Sequence, residues 1–112
     1  MTSVRFSKKA GVGYVLFESK GHADYAEEGS DIVCAAVSAA TELVIGILEN
    51  FSVDFRLEVC ESEACVRCSI SSSAGNGAKR ACIEPVLDGY REYLEHVSKE
   101  YPRNLKCIIT EL

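Results

Sequence analysis

Two residues able to act as a nucleophile and its base lie close together in the first third of the chain. His22 is one of only two histidines, and Cys34 follows it by twelve residues. A helix N-terminus lowers the pKa of a thiol, and a nearby imidazole can accept its proton. The pair therefore supplies the two groups, a thiol and a base, that thiolate attack on an electrophilic carbon requires. The same spacing also fits a buried cysteine in a helix and a solvated histidine in a loop.

The elements around this pair follow from the local sequence. Residues 14–19 form a strand-like run directly before His22, and residues 31–49 are helical by length and alanine content. Asp31 is a favourable N-cap, which predicts Cys34 in the first turn of the helix. A carboxylate there could cap the helix or orient the histidine, and the sequence leaves both roles open.

Polar residues continue along the helix from Cys34. Ser38 lies four residues later and is predicted on the same face, and Thr41 is predicted to continue that face. A polar stripe on an otherwise apolar helix is typical of a cleft wall.

The remaining periodicity predicts a single α+β domain over residues 1–112, with a mostly antiparallel sheet of about five strands and two helices. Alternating residues near 4–6, 51–60 and 105–109 add strands, and residues 65–70 add a shorter partner strand after a turn. A second helix runs from 79 or 84 to 100. Pro85 leaves the start of that helix open. The predicted order is ββαββαβ.

Composition excludes several classes of function. Twelve basic and seventeen acidic residues give a formal charge of −5, which disfavours nucleic-acid binding. The first residues enter a strand pattern and show no charged segment before an apolar one, so we expect no signal peptide and a cytoplasmic location. Thr41 and Glu42 interrupt the apolar helix, so we expect no membrane span.

The spacing of three further cysteines suggests a different function. Cys60, Cys65 and Cys68 have the spacing of a plant-type [2Fe–2S] site, with Cys82 later in the chain. Residues three apart on a strand point to opposite faces, so convergence on one cluster is disfavoured. A small redox or iron–sulfur protein is one alternative, and a non-enzymatic ribosome-associated binding module is another. His96, among glutamates, is predicted to be a surface helix residue.

A longer pattern resembles a known family. Gly21-His22-Ala23, then Gly29, then Asp31-Ile32-Val33-Cys34-Ala35-Ala36-Val37-Ser38 is similar to the signature of the ribosomal-processing cysteine protease (Prp) family, and Tyr101-Pro102 resembles its ending. The resemblance implies that Cys34 is the catalytic nucleophile and His22 its base. It also implies supporting roles for Asp31 and Ser38, with Gly21 and Gly29 at the ends of a mobile active-site loop.

The same resemblance implies an activity and a partner. Members of the family remove an N-terminal extension from large-subunit ribosomal protein number twenty-seven, cutting after an apolar, Phe-containing run and before a basic segment. The family implies a homodimer that needs no metal or other cofactor. An acidic enzyme also suits a basic substrate.

Overall fold

A computed structural model describes residues 1–21, 30–72 and 77–112. Within these ranges the chain forms the following elements in order: β1 (Thr2–Lys9), β2 (Gly13–Lys20), α1 (Ser30–Asn50), β3 (Phe55–Cys60), β4 (Cys65–Ile70), α2 (Gly77–Glu100) and β5 (Leu105–Glu111). The predicted α+β class and the order ββαββαβ are confirmed.

The strands form one mixed sheet in the order β3-β4-β2-β1-β5. The hairpins β1–β2 and β3–β4 are antiparallel, and β2 also pairs with β4 in the antiparallel sense. The last strand differs, because β5 runs parallel to β1. Parallel neighbours require a crossover connection, and β5 follows α2 in the chain. The sheet is therefore mixed, with β3 and β5 at its edges.

An aromatic cluster joins the sheet to α2. The ring of Tyr90 lies 5.4 Å from that of Phe6 and 5.2 Å from that of Phe17, in edge-to-face geometry. All three residues are buried. The Tyr90 hydroxyl also lies 2.7 Å from the hydroxyl of Thr41 on α1. This hydrogen bond ties the helix that carries Cys34 to the centre of the fold.

Helix α1 is strongly apolar, and part of its apolar surface packs in the core. Residues 32–50 have a mean hydropathy of 1.9, and by length and composition alone this segment could cross a membrane. In the structure, 28% of the segment is buried inside the protein. Core helices of soluble proteins meet the same criterion. One face of α1 packs in the hydrophobic core through Val33, Val37, Val44 and Leu48.

Two predicted boundaries were wrong. β3 begins at Phe55 rather than at residue 51, because residues 51–52 form a turn after α1 and Val53 packs in the core. α2 begins at Gly77 and continues through Pro85. Proline removes one helical hydrogen bond to the carbonyl four residues earlier. Both Pro85 and Ala81 are exposed, so water can solvate that carbonyl.

Candidate active site

Cys34 lies near the amino end of α1, slightly deeper than the sequence predicts. The helix begins at Ser30, so Cys34 is its fifth residue and belongs to the second turn. The predicted N-cap position of Asp31 is therefore wrong, because its backbone is already the second residue of the helix. By the helical pattern the Cys34 amide pairs with the Ser30 carbonyl, and the free amides of the helix precede Cys34. The Cys34 side chain is half-buried.

The predicted polar stripe ends one turn after Cys34. Ser38 is exposed and shares the flank of α1 on which Cys34 lies. Thr41 does not continue that flank, because it is buried and its hydroxyl is engaged by Tyr90. Thr41 is thus a core residue that fixes α1 against α2, contrary to the expectation of a cleft wall.

The predicted base precedes α1 in a segment that the structure does not describe. His22 and Gly29 both lie outside the described residues, so their roles stay predictions. The chain enters this segment at Gly21, whose amide donates a hydrogen bond to the carbonyl of Ala64 at 3.3 Å. Lys20, just before it, is paired with Cys65 of β4. Gly21, the residue before His22, is therefore anchored to the β3–β4 hairpin.

Gly21 is also fixed by steric requirements. Its φ of +125° is unfavourable for other residues, and an added Cβ would lie 2.3 Å from the carbonyl oxygen of Met1. That carbonyl is backbone and cannot swing away. An alanine at Gly21 would therefore strain the sheet, whether or not Gly21 also acts as a hinge. Loss of activity in Gly21→Ala would not by itself identify a hinge.

The three cysteines with iron–sulfur spacing, Cys60, Cys65 and Cys68, do not all converge on one site. Cys68 is fully buried in register with Phe17 and Leu57, and burial raises its pKa to about 12. Cys60 and Cys65 are cross-strand partners on the opposite face of the sheet from Cys68. Within residues 1–21, 30–72 and 77–112, no group of three or more histidine, cysteine or acidic side chains could hold a metal ion. The geometry of these three thiols does not fit a shared iron–sulfur cluster.

The second histidine pairs with a glutamate on its own helix. His96 is exposed on α2, and its Nε2 atom lies 3.2 Å from the Glu100 carboxylate. The prediction of a surface helix residue is confirmed.

An apolar groove between α1 and α2 was not anticipated from the sequence. It has a volume of about 430 Å³, and Leu43 and Ile47 line it on one side with Val86 and Tyr93 on the other. Helical rotation puts these α1 residues on the opposite flank from Cys34. The groove is therefore separate from the candidate site. Its components are split between two helices, so no single periodic segment could have revealed it.

A half-buried cysteine near the start of a core helix is an arrangement used by cysteine-dependent enzymes. Residues 1–106 match the sequence model of the family described as Cysteine protease Prp. The chain belongs to this cysteine protease family. The resemblance read from the motif between Gly21 and Ser38 is thereby confirmed at the level of the family.

Solved structures share the fold. The SMU.848 protein of Streptococcus mutans superposes with a TM-score of 0.82 at 22% identity, covering 100% of this chain and 96% of the other. The essential ribosomal processing protease Prp of Staphylococcus aureus, in complex with a substrate peptide, gives a TM-score of 0.82 at 19% identity, covering 98% and 100%. The same protease with a covalently linked product peptide gives 0.77 at 20% identity, with the same coverage. Comparison with curated protein sequences gives no significant match.

Proposed function

We propose that this protein is a cytoplasmic cysteine endopeptidase that removes the N-terminal extension of large-subunit ribosomal protein number twenty-seven during ribosome maturation. The observation that carries the proposal is family membership over residues 1–106, which includes Cys34 and His22. The related fold of the Staphylococcus aureus protease, whose crystals contain a substrate peptide, supports a peptide substrate.

In the proposed mechanism the Cys34 thiolate attacks the carbonyl carbon of the scissile peptide bond. His22 accepts the thiol proton and then donates it to the departing amine, which leaves a thioester on Cys34. Water, deprotonated by His22, hydrolyses the thioester and releases the extension. The free amides at the start of α1 precede Cys34 in the chain and are candidates to stabilise the oxyanion. Asp31 and Ser38 are assigned supporting roles, and no metal or cofactor takes part.

Charge supports the substrate assignment. The chain carries a net charge of −5, and Asp24, Glu27 and Glu28 lie between Gly21 and Gly29. Acidic residues between the predicted loop ends would attract the basic segment that follows the scissile bond. The apolar run before that bond would need a separate, uncharged surface.

The test is cleavage of the ribosomal protein carrying its native extension, followed by mass spectrometry. We expect the wild-type protein to release one N-terminal fragment, and Cys34→Ala to release none while keeping its circular dichroism spectrum. His22→Ala should lower the turnover rate by about 10²–10⁴-fold, the usual contribution of a general base.

Cys82→Ser is the matched control, because Cys82 is an exposed thiol on α2. It should cleave at the wild-type rate. Full activity in a folded Cys34→Ala protein would disprove the cysteine mechanism. An inactive wild-type protein that binds the extension without cutting it would favour the ribosome-associated binding module.

We further propose that the enzyme is a homodimer and that the exposed apolar face of α1 contributes to the interface. Leu43 on this helix is 66% exposed and Tyr93 of α2 is 47% exposed, beside the groove between the two helices. An apolar face of this kind on a soluble protein favours association. A second copy is the expected occupant because the family implies a dimer.

A further inference from the structure

Two cysteines that the proposed protease mechanism does not use face each other across the β3–β4 hairpin. Cys60 ends β3 and is the register partner of Cys65, which begins β4. Directly opposed residues of an antiparallel pair have Cα atoms about 4.5 or 5.5 Å apart. Both separations fall within the range of about 4.4–6.8 Å that disulfides use. The register therefore places the two Cα atoms at a separation that a disulfide can span.

The two thiols differ in access and chemistry. Cys60 is exposed, and its sulfur lies 3.2 Å from the Ser62 hydroxyl. Hydrogen bonds from the Ser62 side chain and from the Glu63 backbone lower the pKa of Cys60. Cys65 is buried, and burial raises its pKa. Both residues line a cavity of about 210 Å³ with Glu63 and Arg67, so a small oxidant can reach the pair.

We propose that Cys60 and Cys65 form a reversible disulfide on exposure to hydrogen peroxide, with Cys60 as the thiol that is oxidised first and Cys65 as the resolving one. The Cys60 thiolate attacks one peroxide oxygen, the O–O bond breaks, and the departing hydroxide takes a proton to become water. Cys60 is then a sulfenic acid. Cys65 attacks its sulfur, the S–S bond forms, the S–O bond breaks, and the hydroxide released takes the Cys65 proton. Two thiols lose two electrons in total to one peroxide, and two waters form.

The position of the pair gives the bridge a structural consequence. Cys65 is in register with Lys20, and the carbonyl of the preceding Ala64 accepts the Gly21 hydrogen bond. The disulfide would close the hairpin end that holds Gly21, the residue before His22. The site is distinct from Cys34, which lies on α1.

The sequence allows a direct readout. Trypsin cuts after Arg56 and Arg67, so one peptide covering residues 57–67 contains both Cys60 and Cys65 and no other cysteine. The experiment treats the Cys34→Ala protein with hydrogen peroxide, unfolds it with iodoacetamide present, and digests it without reduction. We expect this peptide to lose two hydrogen atoms and to carry no alkyl group. Dithiothreitol before alkylation should restore two alkylated cysteines.

Three variants in the same background distinguish the roles. Cys82→Ser should form the bridge as fully as its parent. Cys60→Ser should lose the bridge and return Cys65 in alkylated form. Cys65→Ala should also lose it, and Cys60 should then gain oxygen atoms. Recovery of residues 57–67 with both cysteines alkylated after peroxide, or with Cys60 oxidised beside an alkylated Cys65, would overturn the proposal. A link from either residue to another peptide would overturn it as well.

Discussion

Reactivity should differ among the six thiols, because burial and hydrogen bonding act on each one separately. Burial raises the pKa of Cys68 to about 12, and the same cause raises the pKa of Cys107 to about 11. We expect Cys34 to react fastest with iodoacetamide at neutral pH, since His22 is proposed to take its proton. Exposed Cys60, whose pKa is lowered by its hydrogen bonds, should follow. A mass-resolved time course measures all six rates in one sample.

Two variants give this prediction its control. Cys60→Ser removes one exposed competitor and should leave the Cys34 rate unchanged, whereas His22→Ala should slow Cys34 alone. If Cys34 is alkylated no faster than Cys82 in the wild-type protein, it is not an activated nucleophile.

At the scale of single residues, the sequence places Cys34 on the correct element but misplaces Thr41. Residue type and spacing alone leave Cys34 open as either a nucleophile or a core cysteine, and its catalytic role is implied by the resemblance to the Prp family. Its predicted place on the first helix is confirmed, whereas its catalytic role stays a prediction. Thr41 was misplaced because the three-residue step from Ser38 rotates back towards the core. Its hydroxyl partner, Tyr90, is 49 positions away, so local periodicity could not reveal the hydrogen bond.

At the scale of elements, the contact between Thr41 and Tyr90 sets the position of α1 against α2. We expect Thr41→Val to lower the free energy of unfolding by about 1–3 kcal/mol, because it leaves a buried Tyr90 hydroxyl without its partner. Tyr90→Phe should cost a similar amount by leaving the Thr41 hydroxyl unpaired. The double variant removes both polar groups and should be less destabilised than the sum of the single variants. Urea unfolding of the four proteins measures this coupling, and strictly additive changes would show that the hydrogen bond contributes no coupling energy.

Individual strands and helices were easier to predict from the sequence than the elements beside which they pack. Alternation in residues 55–60 fixes a strand, because period-two patterning is local. The position of β5 beside β1 depends on where α2 packs, which is a property of the tertiary fold. Pro85 leaves the start of α2 open in the sequence, whereas in the structure the packing of Ile83 and Leu87 in the core holds the helix together on both sides of the proline.

At the scale of the whole molecule, the acidic charge and the apolar face of α1 affect dimerisation in opposite directions. A net charge of −5 repels a second copy at long range, so a dimer must rely on apolar contact at the interface. Such a dimer should be stabilised by added salt, which screens the repulsion. Composition alone predicts the net charge. The exposed side of α1 can be identified only once the side that packs in the core is known.

Substitution of Leu43 tests this interface. We expect Leu43→Asp to weaken dimerisation by tenfold or more, about 1.4 kcal/mol or above, because association would bury an unpaired carboxylate. Sedimentation equilibrium over a range of protein concentrations measures the dissociation constant. Leu112→Asp is the matched control, since Leu112 is equally exposed at 66% but lies outside α1, and it should dimerise like the wild-type protein. A wild-type protein that stays monomeric throughout would refute the dimer, and equal affinities for all three proteins would exclude Leu43 from its interface.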